Sequence, residues 1–120
     1  MMEIIQKQLV LKEEKYYEKH LEVINPFLPK NAKMTEMEIK VLSLFMSFTG
    51  EVAEQERFGT FLRKKVLSKL TISGPGLSNY IASLKKKGIL VEGLADNLTI
   101  HNAILAEDAK QFYQFKIIKE

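Results

Sequence analysis

Residues 60–87 combine two helix-period apolar patterns with a three-residue turn between them, and this arrangement constrains the fold more strongly than any other part of the sequence. The first helix is predicted over residues 60–70. The second is predicted over residues 74–87, because Ser73 suits the N-cap and Pro75 falls in the first turn, where a missing N–H costs nothing. The positions expected to face the core are Phe61, Leu62, Val66, Leu67, Leu70, Leu77, Ile81 and Leu84. The pattern therefore indicates a helix, a tight turn and a second helix.

The same stretch concentrates positive charge. The whole chain has 18 basic and 15 acidic residues and a net charge of +3, yet from Arg57 to Val91 there is no acidic residue. The basic residues of this stretch are Arg57, Arg63, Lys64, Lys65, Lys69, Lys85, Lys86 and Lys87. A cation-rich segment in an otherwise slightly acidic protein suggests a surface that meets phosphate. The sequence therefore predicts a nucleic-acid binder.

Two further helices are expected before this stretch. The spacing of apolar residues over 12–24 is helical, and Pro26 ends the element because the residue before a proline avoids the α region. Thr35 and Glu38 form a capping box, in which the threonine oxygen accepts from a first-turn N–H and the glutamate reaches back. A helix is predicted to start there, and Gly50 is expected to stop it.

The segment 51–56, in which three of the six residues are glutamate, is interpreted as an acidic surface link or a helical turn. After Gly88, the runs 89–92 and 97–101 are β-prone and short, which predicts a hairpin. Alternating patterns at residues 3–11 and 113–118 predict two terminal strands. These strands are expected to pair within one subunit or across a homodimer, and another protein partner stays open as an alternative.

Composition limits the class of protein. A chain of 120 residues with 46% hydrophobic residues fits one folded domain, and the absence of cysteine excludes disulfides. Neither a secretory signal nor a transmembrane run is recognised, so a cytoplasmic protein without membrane contact is expected. There is no phosphate-binding glycine loop or nucleophile elbow, and His20 and His101 are isolated. We therefore expect neither an enzyme nor a cofactor or metal site.

The segment from Leu70 to Leu90 resembles the core of winged helix-turn-helix proteins, particularly the MarR-like group. The shared skeleton is a leucine, a turn ending in serine, leucine-serine, isoleucine, leucine, a basic run, glycine and two aliphatic residues. The resemblance implies an α+β fold whose winged helix-turn-helix core, residues 35–101, has three helices and a β-hairpin wing. Residues 1–34 would add an N-terminal strand and helix, and residues 102–120 a strand-like tail, all within one domain.

The resemblance also implies a duplex DNA partner and a docking surface. The second helix would be the recognition helix, with serines and lysines holding phosphate and Asn79, Tyr80 and Ser83 facing base edges. The implied nucleic-acid-binding residues are Arg63, Lys64, Lys69, Ser73, Ser78, Asn79, Tyr80, Ser83, Lys85, Lys86 and Lys87.

The chain departs from the family pattern at the start of this helix, where Gly74, Pro75 and Gly76 offer no hydrogen-bonding side chain to a base. Glu92 and Asp96 also bring negative charge to the wing. Two hypotheses follow. The first is a regulator of transcription or replication held on duplex DNA mainly by lysine–phosphate contacts. The alternative is a non-catalytic structural or protein-interaction module, for example a component of a phage particle or mobile-element complex.

Overall fold

A computed structural model describes residues 10–93, 97–106, 111, 113–114 and 117–119. These residues form an α+β fold with five α-helices and one two-stranded antiparallel hairpin. The elements are α1 (Glu13–Ile24), α2 (Glu36–Ser47), α3 (Glu51–Glu56), α4 (Thr60–Lys69), α5 (Gly74–Lys86), β1 (Leu90–Glu92) and β2 (Leu98–Ile100). Short 3-10 turns at Asn25–Phe27 and Lys30–Ala32 connect α1 to α2. No helix within the described ranges is long and apolar enough to cross a membrane.

α1 and the start of α2 confirm their sequence signals, whereas α2 ends at Ser47, before Gly50, which is the N-cap of α3. The Thr35 backbone N–H donates to the Glu38 carboxylate at 2.8 Å, and the Glu38 N–H donates to the Thr35 hydroxyl at 3.2 Å, so the capping box forms as predicted. The loop between α1 and α2 is closed by the Asn25 side chain, which bonds both the N–H and the C=O of Met34 at 2.7 and 3.0 Å. α1 packs directly on α2.

The helices α4 and α5 lie within a residue of their predicted bounds. The Ser73 hydroxyl accepts from the Gly76 N–H at 3.0 Å and caps α5, with Pro75 in the first turn. The predicted stripe of α5, Leu77, Ile81 and Leu84, is buried. The prediction for Phe61 is wrong, because this side chain is 57% exposed. Leu62 and Val66 supply the buried face of α4 instead.

The predicted hairpin follows α5 directly. Gly88 has a φ of +78°, a left-handed conformation that turns the chain out of the helix. The strands pair with Leu90 opposite Ile100 and Glu92 opposite Leu98. The His101 N–H continues the ladder by donating to the Ile89 C=O at 2.9 Å.

A single apolar core joins the helices to the base of the hairpin. Its most deeply buried members are Leu21, Val41, Leu42, Phe45, Val66, Leu77, Leu84, Ile89 and Leu90. The acidic link 51–56 is the short helix α3, which buries only Ala53.

Most of the first predicted terminal strand, residues 3–9, lies outside the described residues, and so do residues 115–116 of the second. Val10, Leu11, Tyr113, Gln114, Ile117 and Ile118 are described, and none of them lies in a strand.

Candidate nucleic-acid interface

The outer face of α5 holds part of the predicted docking surface. Ser78, Asn79, Ala82 and Lys86 are exposed, and their spacing places them on one side of the helix, opposite the buried stripe. Lys86 makes no ion pair with any described residue. Ser73 is exposed at the start of the same helix while its hydroxyl caps the first turn. We call Ser78, Asn79, Ala82 and Lys86 the α5 face.

Three other predicted contacts face the protein: Tyr80 and Ser83 on α5, and Lys87 at its C-cap. The Ser83 hydroxyl donates to the Glu38 carboxylate at 2.7 Å, and the Lys87 ammonium pairs with the other oxygen of the same group. Tyr80 is half-buried and packs against the core. Ser83 and Lys87 therefore join α5 to the N-terminus of α2, and in this arrangement they are not offered to a ligand.

Glu38 is the centre of this junction, with a side chain only 2% exposed. Burial by itself would raise the pKa of its carboxyl group, but hydrogen bonds from Lys87, Thr35 and Ser83 outweigh that effect, and the pKa is lowered. The carboxylate is thus charged and fully hydrogen-bonded. It fixes the end of α5 relative to α2 through contacts that span 45 and 49 residues of sequence.

The wing carries less free negative charge than the sequence suggested. The Lys85 ammonium lies 2.5 Å from the Glu92 carboxylate of β1, which lowers the pKa of Glu92 through the hydrogen bond and the attraction of the lysine charge. In this exposed ion pair the charge of Lys85, a predicted phosphate contact, and the charge of Glu92, which would repel phosphate, cancel each other. Asp96 lies outside the described residues.

Both arginines of the chain are engaged with backbone carbonyls. One terminal nitrogen of Arg57 donates to the C=O groups of Phe45 and Phe48 at 2.7 and 2.8 Å, which caps the C-terminal end of α2. Burial lowers the pKa of Arg57. Arg63 donates through Nε to the Phe58 C=O at 2.6 Å and is half-buried. Neither guanidinium is presented as an open fork of the kind that pairs with guanine.

The outer face of α4 forms a second cationic surface. Phe61, Lys64, Lys65 and Ser68 are exposed and follow one another at positions i, i+3, i+4 and i+7, which lie on one side of a helix. The Lys65 ammonium stands 4.9 Å from the centre of the Phe61 ring, a cation–π contact. Lys69 is exposed at the end of the helix. We call Phe61, Lys64, Lys65 and Ser68 the α4 face.

Sequence reasoning missed two of these residues as site candidates. The sequence pattern predicts a core position for Phe61 and indicates no role for Lys65 beyond its positive charge. The i, i+4 spacing of these two residues is nevertheless the signal for a contact on a helix surface. The sequence predicts Glu38 as a capping residue, but no nearby residue indicates its bonds to Ser83 and Lys87.

No family model, no curated protein and no solved structure matches this chain significantly.

Proposed function

We propose that this protein binds nucleic acid, with duplex DNA as the target, through the α5 face and the neighbouring lysines of α4, and that it acts without catalysis as a regulator of transcription or replication. The observation that carries the proposal is the absence of carboxylates from residues 57–91, combined with exposed Lys64, Lys65 and Lys86 on the two helices. Phosphate is the ligand that such a surface attracts without regard to sequence.

The order of the elements supports a winged-helix arrangement. α2 would be the first helix of the core, α4 and α5 the helix-turn-helix, and the hairpin of β1 and β2 the wing. The α5 face then enters the major groove, where Asn79 is the side chain best able to read a base edge. The internal partners of Lys85 and Lys87 reduce the number of available cations, which favours modest affinity dominated by backbone contacts.

The first turn of α5 supports a second candidate function. Gly74, Pro75 and Gly76 present an exposed or half-exposed surface that has no polar side chain, a composition better suited to protein contact than to base readout. On this alternative the protein is a structural or interaction module. A stable complex with another protein, together with no salt-sensitive DNA binding, would identify it.

Salt dependence tests the main proposal. Anisotropy of a labelled random duplex is titrated at about 50 and about 200 mM salt, where several phosphate contacts change the affinity by orders of magnitude. Lys86→Gln is expected to weaken binding to all duplexes and to lower the slope of log K against log salt by about 1.

Lys19→Gln is the matched control, since it removes the same charge from an exposed position on α1. It is expected to leave the slope unchanged. No binding of the wild-type protein at the lower salt, or equal effects of the two substitutions, would rule out docking through α5.

A further inference from the structure

The α4 face combines an exposed aromatic ring with two exposed lysines, Lys64 and Lys65. The residues Phe45 and Phe58 are 0% and 5% exposed. Phe61 is 57% exposed, because it lies on the side of α4 that faces away from the core. Scattered apolar side chains on a surface need no explanation by themselves. The setting of Phe61 is different, because Lys65 lies over its ring, Lys64 is one turn away, and no carboxylate occurs between residues 57 and 91.

The two kinds of group on this face specify the ligand. Lysines attract an anionic backbone, and an exposed ring offers a flat apolar surface on which another flat ring can stack. Bases inside a duplex are already stacked on each other, so a duplex would contact the lysines but would not stack a base on the Phe61 ring. An acidic peptide would also satisfy only the lysines. An unpaired base next to phosphates uses both groups.

We propose that Phe61, with Lys64 and Lys65, is a stacking site for an unpaired base, so that the protein binds single-stranded nucleic acid through α4. The inference rests on the proposed function, because it assumes that the cationic surface of α4 and α5 meets nucleic acid. The ring surface left uncovered by Lys65 receives the base, and the lysines contact the flanking phosphates.

The test compares a labelled mixed-sequence single strand with the duplex of the same length. Phe61→Ala is expected to weaken single-strand binding about tenfold, the effect of losing one base–aromatic stack, and to change duplex binding less than about twofold. Phe61→Leu keeps an apolar side chain of similar length but has no ring, so it is expected to lose most of the same affinity. A 2-aminopurine in the strand is expected to be quenched by the wild-type protein and not by Phe61→Ala.

Phe27→Ala is the matched control, because Phe27 is also strongly exposed, at 67%, but lies in the turn after α1. It is expected to leave both affinities unchanged. Thermal melts followed by circular dichroism establish that each variant is folded.

Other outcomes overturn the stacking site in distinguishable ways. Full single-strand affinity in Phe61→Leu, or equal losses on single strand and duplex, refutes stacking while salt-dependent duplex binding keeps the proposed function. Phe61-dependent binding of poly-glutamate identifies an acidic protein as the ligand and refutes the inference. If the wild-type protein binds neither single strand nor duplex, the proposed function and the stacking site fail together.

Discussion

At the scale of single residues, Glu38 shows how one carboxylate serves two levels of structure. The capping box that it forms with Thr35 starts α2. Its two carboxylate oxygens also accept a hydrogen bond from Ser83 and pair with the Lys87 ammonium at the end of α5. Removing one partner of a buried charge pair is costly because the remaining charge loses its compensation. Because the pKa of Glu38 is lowered, its contribution to stability is present above about pH 4.5 and is lost as the pH falls through the lowered value.

Glu38→Gln is therefore expected to lower the free energy of unfolding by about 3 kcal/mol, because it leaves the half-buried Lys87 ammonium without its counter-charge. Urea denaturation at pH 7 measures the change. Glu36→Gln is the control on the same first turn, where an exposed acid is 3.8 Å from Lys40, and it is expected to change stability by less than about 0.5 kcal/mol. Similar losses in both variants would show that the buried junction at Glu38 contributes no more to the free energy of unfolding than an exposed ion pair does.

At the scale of elements, the connection from α5 to β1 depends on one backbone conformation. Gly88 has open space where a Cβ would be added, but its φ is positive, at +78°. Any loss of stability that is specific to Gly88 therefore reports the backbone conformation and not a steric clash.

Gly88→Ala is expected to cost about 1–2 kcal/mol, since an L side chain disfavours the left-handed region. Gly88→Asn is the matched control, because asparagine also adds a Cβ but tolerates the left-handed region better than alanine, and it is expected to cost clearly less than Gly88→Ala. Denaturant melts of the two variants give the comparison. A Gly88→Asn variant as unstable as Gly88→Ala would mean that the left-handed conformation is not what the glycine at 88 provides.

At the scale of the whole molecule, the elements with local signals could be predicted from the sequence, and the contacts between them could not. The capping box at Thr35, the cap at Ser73 and the turn at Gly88 each depend on neighbours within a few residues. The exposure of Phe61 depends on which side of α4 meets α2 and α5, because the apolar residues of α4 do not define a single narrow stripe. Lys87 and Ser83 both bind Glu38 of α2, which is far away in sequence. No local pattern could therefore predict that these two residues are turned away from the docking surface.

His20 of α1, which is 3% exposed, contacts residues 84 and 93 positions further along the chain. Its Nε2 lies 2.7 Å from the Ile104 C=O, and its Nδ1 lies 2.8 Å from the Tyr113 hydroxyl. Because a carbonyl only accepts, Nε2 carries a proton and donates to Ile104, and in the neutral ring Nδ1 then accepts from the Tyr113 hydroxyl. Burial raises the pKa of Tyr113.

Burial lowers the pKa of His20 below 6.5, although the bond to Ile104 acts in the opposite direction. The unfolded chain therefore binds a proton at a higher pH than the folded protein, so the stability from His20 is fully present above pH 6.5 and decreases as the pH falls toward the lowered value. For a single group, the slope of the free energy of unfolding in that window is at most about 1.4 kcal/mol per pH unit. Glu38 does not interfere, because its lowered pKa confines its effect to pH values below about 4.5.

Urea denaturation at pH 5, 6 and 7 is expected to show this decline in the wild-type protein and a flatter profile in His20→Gln. His101→Gln, which alters an exposed histidine just after β2, is expected to keep the wild-type slope. If His20→Gln lost stability between pH 7 and pH 5 as steeply as the wild type, the proton uptake would belong to another group. The junction between α1 and the C-terminal part of the chain would then not depend on a neutral imidazole.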